Sequence, residues 1–187
     1  MSLIIGLTGK FAAGKGTVAD TLVHHGFRYH SLSDVIRDAL SAQGIPESRE
    51  ALTEMGNALR RAEGPQALAL GICRKIQADP HHDHIVDSIR NPAEVVTLRT
   101  LPGFRLLGID ADPRLRFDRL RARNRAGDPE TFAYFQELEA KETHSADPTT
   151  QQLHATWALV DEILHNDGDL HDLNRAVAAT LERLRPT

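Results

Sequence analysis

Apolar positions along the chain fall into short runs separated by longer stretches of helical period. Leu3 to Leu7 is a continuous apolar run that predicts a short buried strand. Phe27 to His30 predicts a second strand, after a helix stop at Gly26. Ile85-Val86-Asp87 predicts a third, its β-branched pair suited to a parallel strand covered on both faces. Phe104 to Ile109 is the fourth, and the stretch from Val160 to His165 holds a short fifth before the turn signal Asn166-Asp167-Gly168. Helical patterns lie between them. Val18, Ala19, Leu22 and Val23 mark the first, and Ser33 or Asp34 is the expected cap of the second. Leu52, Met55 and Leu59 line a helix over 47–62, and Ala67 to Ile76 follow as another. Leu170, Leu173, Val177 and Leu181 line the last. Strands alternating with helices predict an α/β domain on a parallel sheet.

Two helical stretches are longer than a simple crossover needs. Residues 31–78 lie wholly between the second and third strands. Residues 112–144 read as helix, break at Gly127-Asp128-Pro129, and helix again from Glu130 to about His144. Asp112 is the expected cap of the first of these, with Pro113 at its first position.

Chemistry concentrates at the ends of the predicted strands. Gly9, four residues, Gly14 and Lys15 have the phosphate-loop spacing, set between a strand and a helix. The backbone of Gly9, Ala12, Ala13, Gly14, Lys15 and Gly16 would meet phosphate oxygens at a helix N-terminus. Gly16 stands where phosphate loops usually carry a magnesium-binding hydroxyl, which leaves Thr17 for that role or for phosphate alone. Asp87 ends the third strand, the edge where open α/β sheets bind ligands, so a carboxylate there suits magnesium. It is also a candidate cap for the helix beginning near Pro92. Arg90 follows within reach of a phosphate, and Arg37 sits three residues after Asp34 near a helix start, where a cation needs an anionic partner. Arg60 or Arg61 offers a further acceptor contact. Arg114, Arg116, Arg119, Arg121, Arg123 and Arg125 crowd one helix, a repulsive set that a phosphate would relieve.

These stretches resemble the phosphate-loop kinases of nucleotide-like acceptors. Gly6-Leu7-Thr8-Gly9 with Gly14-Lys15, and the strand–Asn166-Asp167-Gly168–helix tail, resemble dephospho-coenzyme A kinases and an archaeal group related to them. Gly14-Lys15-Gly16-Thr17 and the Asp34…Arg37 spacing are similar to adenylate kinases, that is, to nucleoside monophosphate kinases. The resemblance implies the three-layer phosphate-loop fold, a five-stranded parallel sheet in the order 2-3-1-4-5. It implies a helical acceptor-binding insertion over 31–78 and a helical lid over 112–144 within one domain, 1–187. It implies ATP as donor with magnesium on Thr17 and Asp87. Lys15, Asp87, Arg119 and Arg123 would be catalytic. Asp34, Arg37, Arg60 and Arg90 would hold the acceptor, a (deoxy)nucleoside monophosphate or dephospho-coenzyme A, and Asn166 would border the adenine. A nucleotide-dependent hydrolase or switch is the other reading of the same loop.

Composition narrows the partners. The 187 residues carry a formal net charge of −4, which does not suggest nucleic acid. No apolar run approaches the ~18 residues of a membrane span. Cys73 is the only cysteine, so no intramolecular disulfide forms and a cytoplasmic setting is expected. A monomer or small homo-oligomer is expected. The histidine-rich turn Asp79-Pro80-His81-His82-Asp83-His84 has no zinc spacing and reads as a solvated loop.

Overall fold

The computed structural model describes residues 2–123, 128–143, 147 and 149–185. Arg125, Gly127 and His144 lie outside the described residues. Five parallel strands form one sheet: β1 (Ile4–Gly9), β2 (Arg28–Ser31), β3 (His84–Asp87), β4 (Phe104–Asp110) and β5 (Glu162–His165), in the spatial order β2-β3-β1-β4-β5. The expected order holds. β1 is central and every one of its residues is buried, because successive side chains point to opposite faces and both faces are covered. Ile5 and Leu7 join Leu107 and Ile109 against α1 (Lys15–His24) and α9 (Leu170–Leu184). Ile4 and Leu106 face the other way, toward α2 (Leu32–Ala42), α3 (Arg49–Glu63), α4 (Ala67–Gln77) and α5 (Pro92–Leu98). The chain continues after β4 through α6 (Pro113–Arg123), α7 (Phe132–Thr143) and α8 (Leu153–Trp157).

Two helix starts differ from expectation. The cap of α2 is Ser31, whose hydroxyl accepts from the Ser33 amide at 3.2 Å, so Ser33 and Asp34 fall inside the helix. β2 runs one residue beyond the expected end and hands over at once. Asp87 does not cap α5. Asn91 does, with Glu94 closing a reciprocal capping box. The Asp112 carboxylate accepts from the Arg114 amide at 2.8 Å, as expected of the α6 cap.

Glu94 is fully buried and does more than cap. It accepts from Arg60 Nε at 3.1 Å and Nη2 at 2.7 Å, and from the Arg90 and Asn91 amides at 2.9 and 3.1 Å. Burial raises its carboxyl above the ordinary carboxylate range against the pull of Arg60 and those two amides. Removing one member of such a pair strands the other charge in the interior. Glu94→Gln is expected to destabilise the fold by about 3–5 kcal/mol, read as a drop in the urea midpoint. A loss below about 1 kcal/mol would mean that solvent reaches Arg60 after all.

Candidate functional site

The C-terminal ends of β1 and β3 open into a cleft of about 1160 Å3. Its floor is the loop from Phe11 to Thr17. Ala12 adopts φ 58° and Gly14 φ 96°, the left-handed region, so the loop turns back on itself before α1 starts at Lys15. A Cβ on Gly14 would lie 2.2 Å from Asn166 Nδ2. Asn166, 6% exposed, donates from that atom to the Ala13 carbonyl at 3.0 Å. The Asn-Asp-Gly turn therefore braces the loop from beneath, and Asn166 does not line the cleft. Lys15 Nζ donates to the Gly9 carbonyl at 3.0 Å, which folds its amine back over the loop. Gly9 lies beneath the loop, at the end of β1.

Asp87 reaches the cleft from β3. Its Oδ1 accepts from the Ser88 amide at 2.6 Å and its Oδ2 from the Tyr29 hydroxyl at 3.1 Å. Burial and the neighbouring Asp87 charge push Tyr29 up to about 12, so Tyr29 keeps its proton and donates. Ser88 follows at φ 67°, a conformation that glycine adopts more easily. Thr17 lines the same cleft. One carboxylate and one hydroxyl, with room for water, suit magnesium, a hard cation that binds oxygen and keeps several waters.

The arginines divide. Arg116 is fully buried and donates to Glu139, to the Ala111 carbonyl at 2.9 Å and to the Phe11 carbonyl at 3.1 Å. Arg123 grips Asp128 through two bonds of 2.9 and 2.8 Å. Arg114 lies over Phe132, 4.7 Å from the ring centre. The repulsion expected along α6 is thus relieved largely within the protein, by carboxylates and rings on α7 and the loop. Four of the six phenylalanines, Phe11, Phe117, Phe132 and Phe135, gather there. Arg119 is the exception. It lines the cleft, and its Nη1 is buried with no hydrogen-bond partner among the described residues. A buried donor left unmade costs about 1–3 kcal/mol, so an acceptor that reached this atom would be bound with a gain.

On the insertion side, Arg90 lines the cleft and donates to Gln151 at 2.9 Å. Arg60 borders the cleft but is 3% exposed and engaged by Glu94. Arg61 lines a separate outer hollow of about 470 Å3 between α2 and α3. Arg37 and Asp34 do not line the cleft. Arg37 donates to Asp34 at 2.8 Å and to Glu47 at 3.2 Å, and Glu47 is the one of the three on the cleft wall. Sequence reading passed over Phe11, Tyr29, Glu47, Arg49, Asp128 and Gln151. Arg49 had a signal: it is a cation on the first turn of a helix, the same misfit with the dipole that drew attention to Arg37.

The AAA domain family matches residues 5–142. A UPF0200 protein of Pyrococcus abyssi is 29% identical over 187 residues, 97% of each chain. A UPF0200 protein of Methanoregula boonei is 31% identical over 175 residues, 93% of each chain. Among solved structures, TT1252 from Thermus thermophilus superposes with a TM-score of 0.63 at 21% identity over 99% of both chains. A gluconokinase from Sinorhizobium meliloti superposes at 0.56 and 12% identity, over 98% of this chain and 93% of that one. Among the described residues no helix is long and apolar enough to cross a membrane. With its strand–loop–helix phosphate site and its whole-length match to the archaeal proteins, the chain belongs to the AAA domain family of the phosphate-loop superfamily and, within it, to the UPF0200 proteins.

Proposed function

We propose that the protein is a kinase that moves the γ-phosphoryl group of ATP to a nucleotide-like acceptor, a (deoxy)nucleoside monophosphate or dephospho-coenzyme A. The observation that carries this reading is the buried Arg119 Nη1, without a hydrogen-bond partner among the described residues, in a cleft that also holds Lys15, Asp87, Arg90 and Arg123. Phosphoryl transfer spreads charge over equatorial oxygens, and its catalysis is mostly positioning and charge stabilisation. In the proposed step an acceptor oxygen attacks the γ-phosphorus, the bond to the β–γ bridging oxygen breaks, and ADP departs; a phosphate acceptor has no proton to lose, and a hydroxyl acceptor gives its proton to solvent. The loop amides from Ala12 to Thr17 and the N-terminus of α1 hold the donor phosphates. Lys15 leaves the Gly9 carbonyl for the phosphates. Arg119 receives the charge that builds on the moving group, and Arg123 exchanges Asp128 for phosphate as the lid closes. Thr17 and Asp87 would hold magnesium, which supplies neutralising charge when bound.

Arg90 is the proposed acceptor-phosphate contact. Arg60 serves the acceptor side through Glu94, because that carboxylate fixes the Arg90 and Asn91 amides. Asp34 and Arg37 serve it by holding Glu47 on the cleft wall. Asn166 serves the donor by bracing the loop under Gly14.

The test is a product assay with ATP, magnesium and a panel of acceptors: the ribo- and deoxynucleoside monophosphates and dephospho-coenzyme A. A phosphorylated acceptor formed one-for-one with ADP is the expected result. Free phosphate alone, with every acceptor, would make the protein a hydrolase or switch.

A further inference from the structure

Residues Thr150 to Gln152, just ahead of α8, are tied to the end of β3 at three points. The Gln152 amide donates to the Arg90 carbonyl at 2.8 Å. Asn91 Nδ2 donates to the Thr150 carbonyl at 2.9 Å. Arg90 Nη1 donates to Gln151 Oε1 at 2.9 Å. The backbone on either side of Gln151 is thus held, and Gln151 and Arg90, both half-buried, line the cleft together. The third bond settles how the Gln151 amide is turned. A guanidinium has donors and no acceptor, so the atom that meets Arg90 is the amide oxygen and the NH2 group points away from that contact. A neutral oxygen orients Arg90 without cancelling its charge, as a carboxylate in that place would do. The cleft wall therefore presents a cation and a neutral donor group side by side. An oxyanion satisfies both, through charge-assisted hydrogen bonds. A hydroxyl or a base carbonyl would use the amide and leave the charge of Arg90 unmatched.

We infer that Gln151 is a direct contact for a phosphate of the acceptor substrate, donating through Nε2 beside Arg90. Its oxygen aims the guanidinium and its NH2 group binds the same anion. The inference rests on the phosphotransfer reading for the identity of its ligand, a phosphate-bearing nucleotide. In that reading the loop after β1 takes the donor, so Gln151 matters for the acceptor substrate and not for the adenine nucleotide on the loop.

Calorimetry tests it, with ADP and magnesium present and each nucleoside monophosphate and dephospho-coenzyme A titrated in turn. Gln151→Met keeps the bulk and loses the amide. It is expected to weaken the acceptor that wild type binds by about tenfold, the scale of one hydrogen bond to a charged group, with the affinity for ADP itself within about twofold. The same substitution in an Arg90→Ala background separates contact from support. A direct contact still costs severalfold there. A residue that only holds Arg90 costs nothing once Arg90 is gone, and that result would overturn the inference. Gln151→Glu keeps an oxygen for Arg90 but sets a carboxylate against the phosphate. It should lose more affinity than Gln151→Met while melting no lower than wild type. Wild-type affinity in either variant, an equal loss for ADP, or no binding of any of these acceptors to wild type would each sink the proposal. If an acceptor binds in a Gln151-dependent way and is not phosphorylated, the inference stands and the proposed kinase activity is what fails. If an acceptor is phosphorylated and Gln151→Met binds it as wild type does, the kinase reading stands and the inference fails.

Discussion

Lys15→Ala is expected to lower kcat/KM for phosphoryl transfer by about a hundredfold or more, roughly 3 kcal/mol of transition-state stabilisation. The structure gives the reason for a large effect. The amine is already within the loop, donating to the Gly9 carbonyl at 3.0 Å. Reaching a phosphate replaces that carbonyl with a charged acceptor, a gain in hydrogen-bond strength. The gain grows as negative charge shifts toward the bridging oxygen and the moving group, so it favours the transition state over the bound substrate. Loss of kcat should therefore exceed loss of ATP affinity. Steady-state kinetics beside ATP calorimetry separates the two. A change under threefold in kcat/KM, on a variant that melts like wild type, would remove Lys15 from the chemistry.

How much of this was legible beforehand differs from element to element. The phosphate loop is a local object: a strand, two glycines at fixed spacing and a lysine determine it almost alone, and the residues from Gly9 to Thr17 fall where the spacing puts them. The sheet order is not local. Periodicity reveals five strands but not which lie side by side, and the order 2-3-1-4-5 came from likeness to a family. The caps of α2 and α5 were misplaced by small margins with a common cause. Several polar residues stand near each start, Ser31, Ser33 and Asp34 around that of α2, Asp87 and Asn91 ahead of α5. The tertiary path of the strand decides which one is outside the first turn. The insertion side of the cleft was the least legible. Arg37, Asp34 and Glu47 form a chain of contacts in which the residue that faces the cleft is the one with no motif around it. Arg49 and Phe11 meet across 38 positions, and nothing in either local sequence announces the contact.

The arginine helix shows the limit most clearly, and it yields the second large effect. Charge counting along α6 treats its arginines alike, yet Arg116 and Arg119 are one turn apart with opposite energetics. Arg116 is satisfied by Glu139 and two carbonyls in the protein itself. Arg116→Ala is expected to destabilise the fold by about 3–5 kcal/mol, because it empties a fully buried volume and leaves Glu139 without its guanidinium. Arg119 has no such partner for its buried Nη1 among the described residues. Arg119→Ala should leave the melting temperature of the ligand-free protein unchanged or slightly higher, since it removes an unmet donor. Its cost should appear in catalysis instead, about 10²–10³ in kcat, the range for losing one preorganised donor to developing charge. Arg119→Lys should recover little of that, since a flexible amine does not reproduce a rigid planar fork. Thermal melts of the free protein, set beside single-turnover rates with saturating ATP and acceptor, read the two effects separately. If Arg119→Ala loses stability as Arg116→Ala does and keeps its rate within threefold, Arg119 is a structural residue, and the cleft loses the observation on which its kinase chemistry rests.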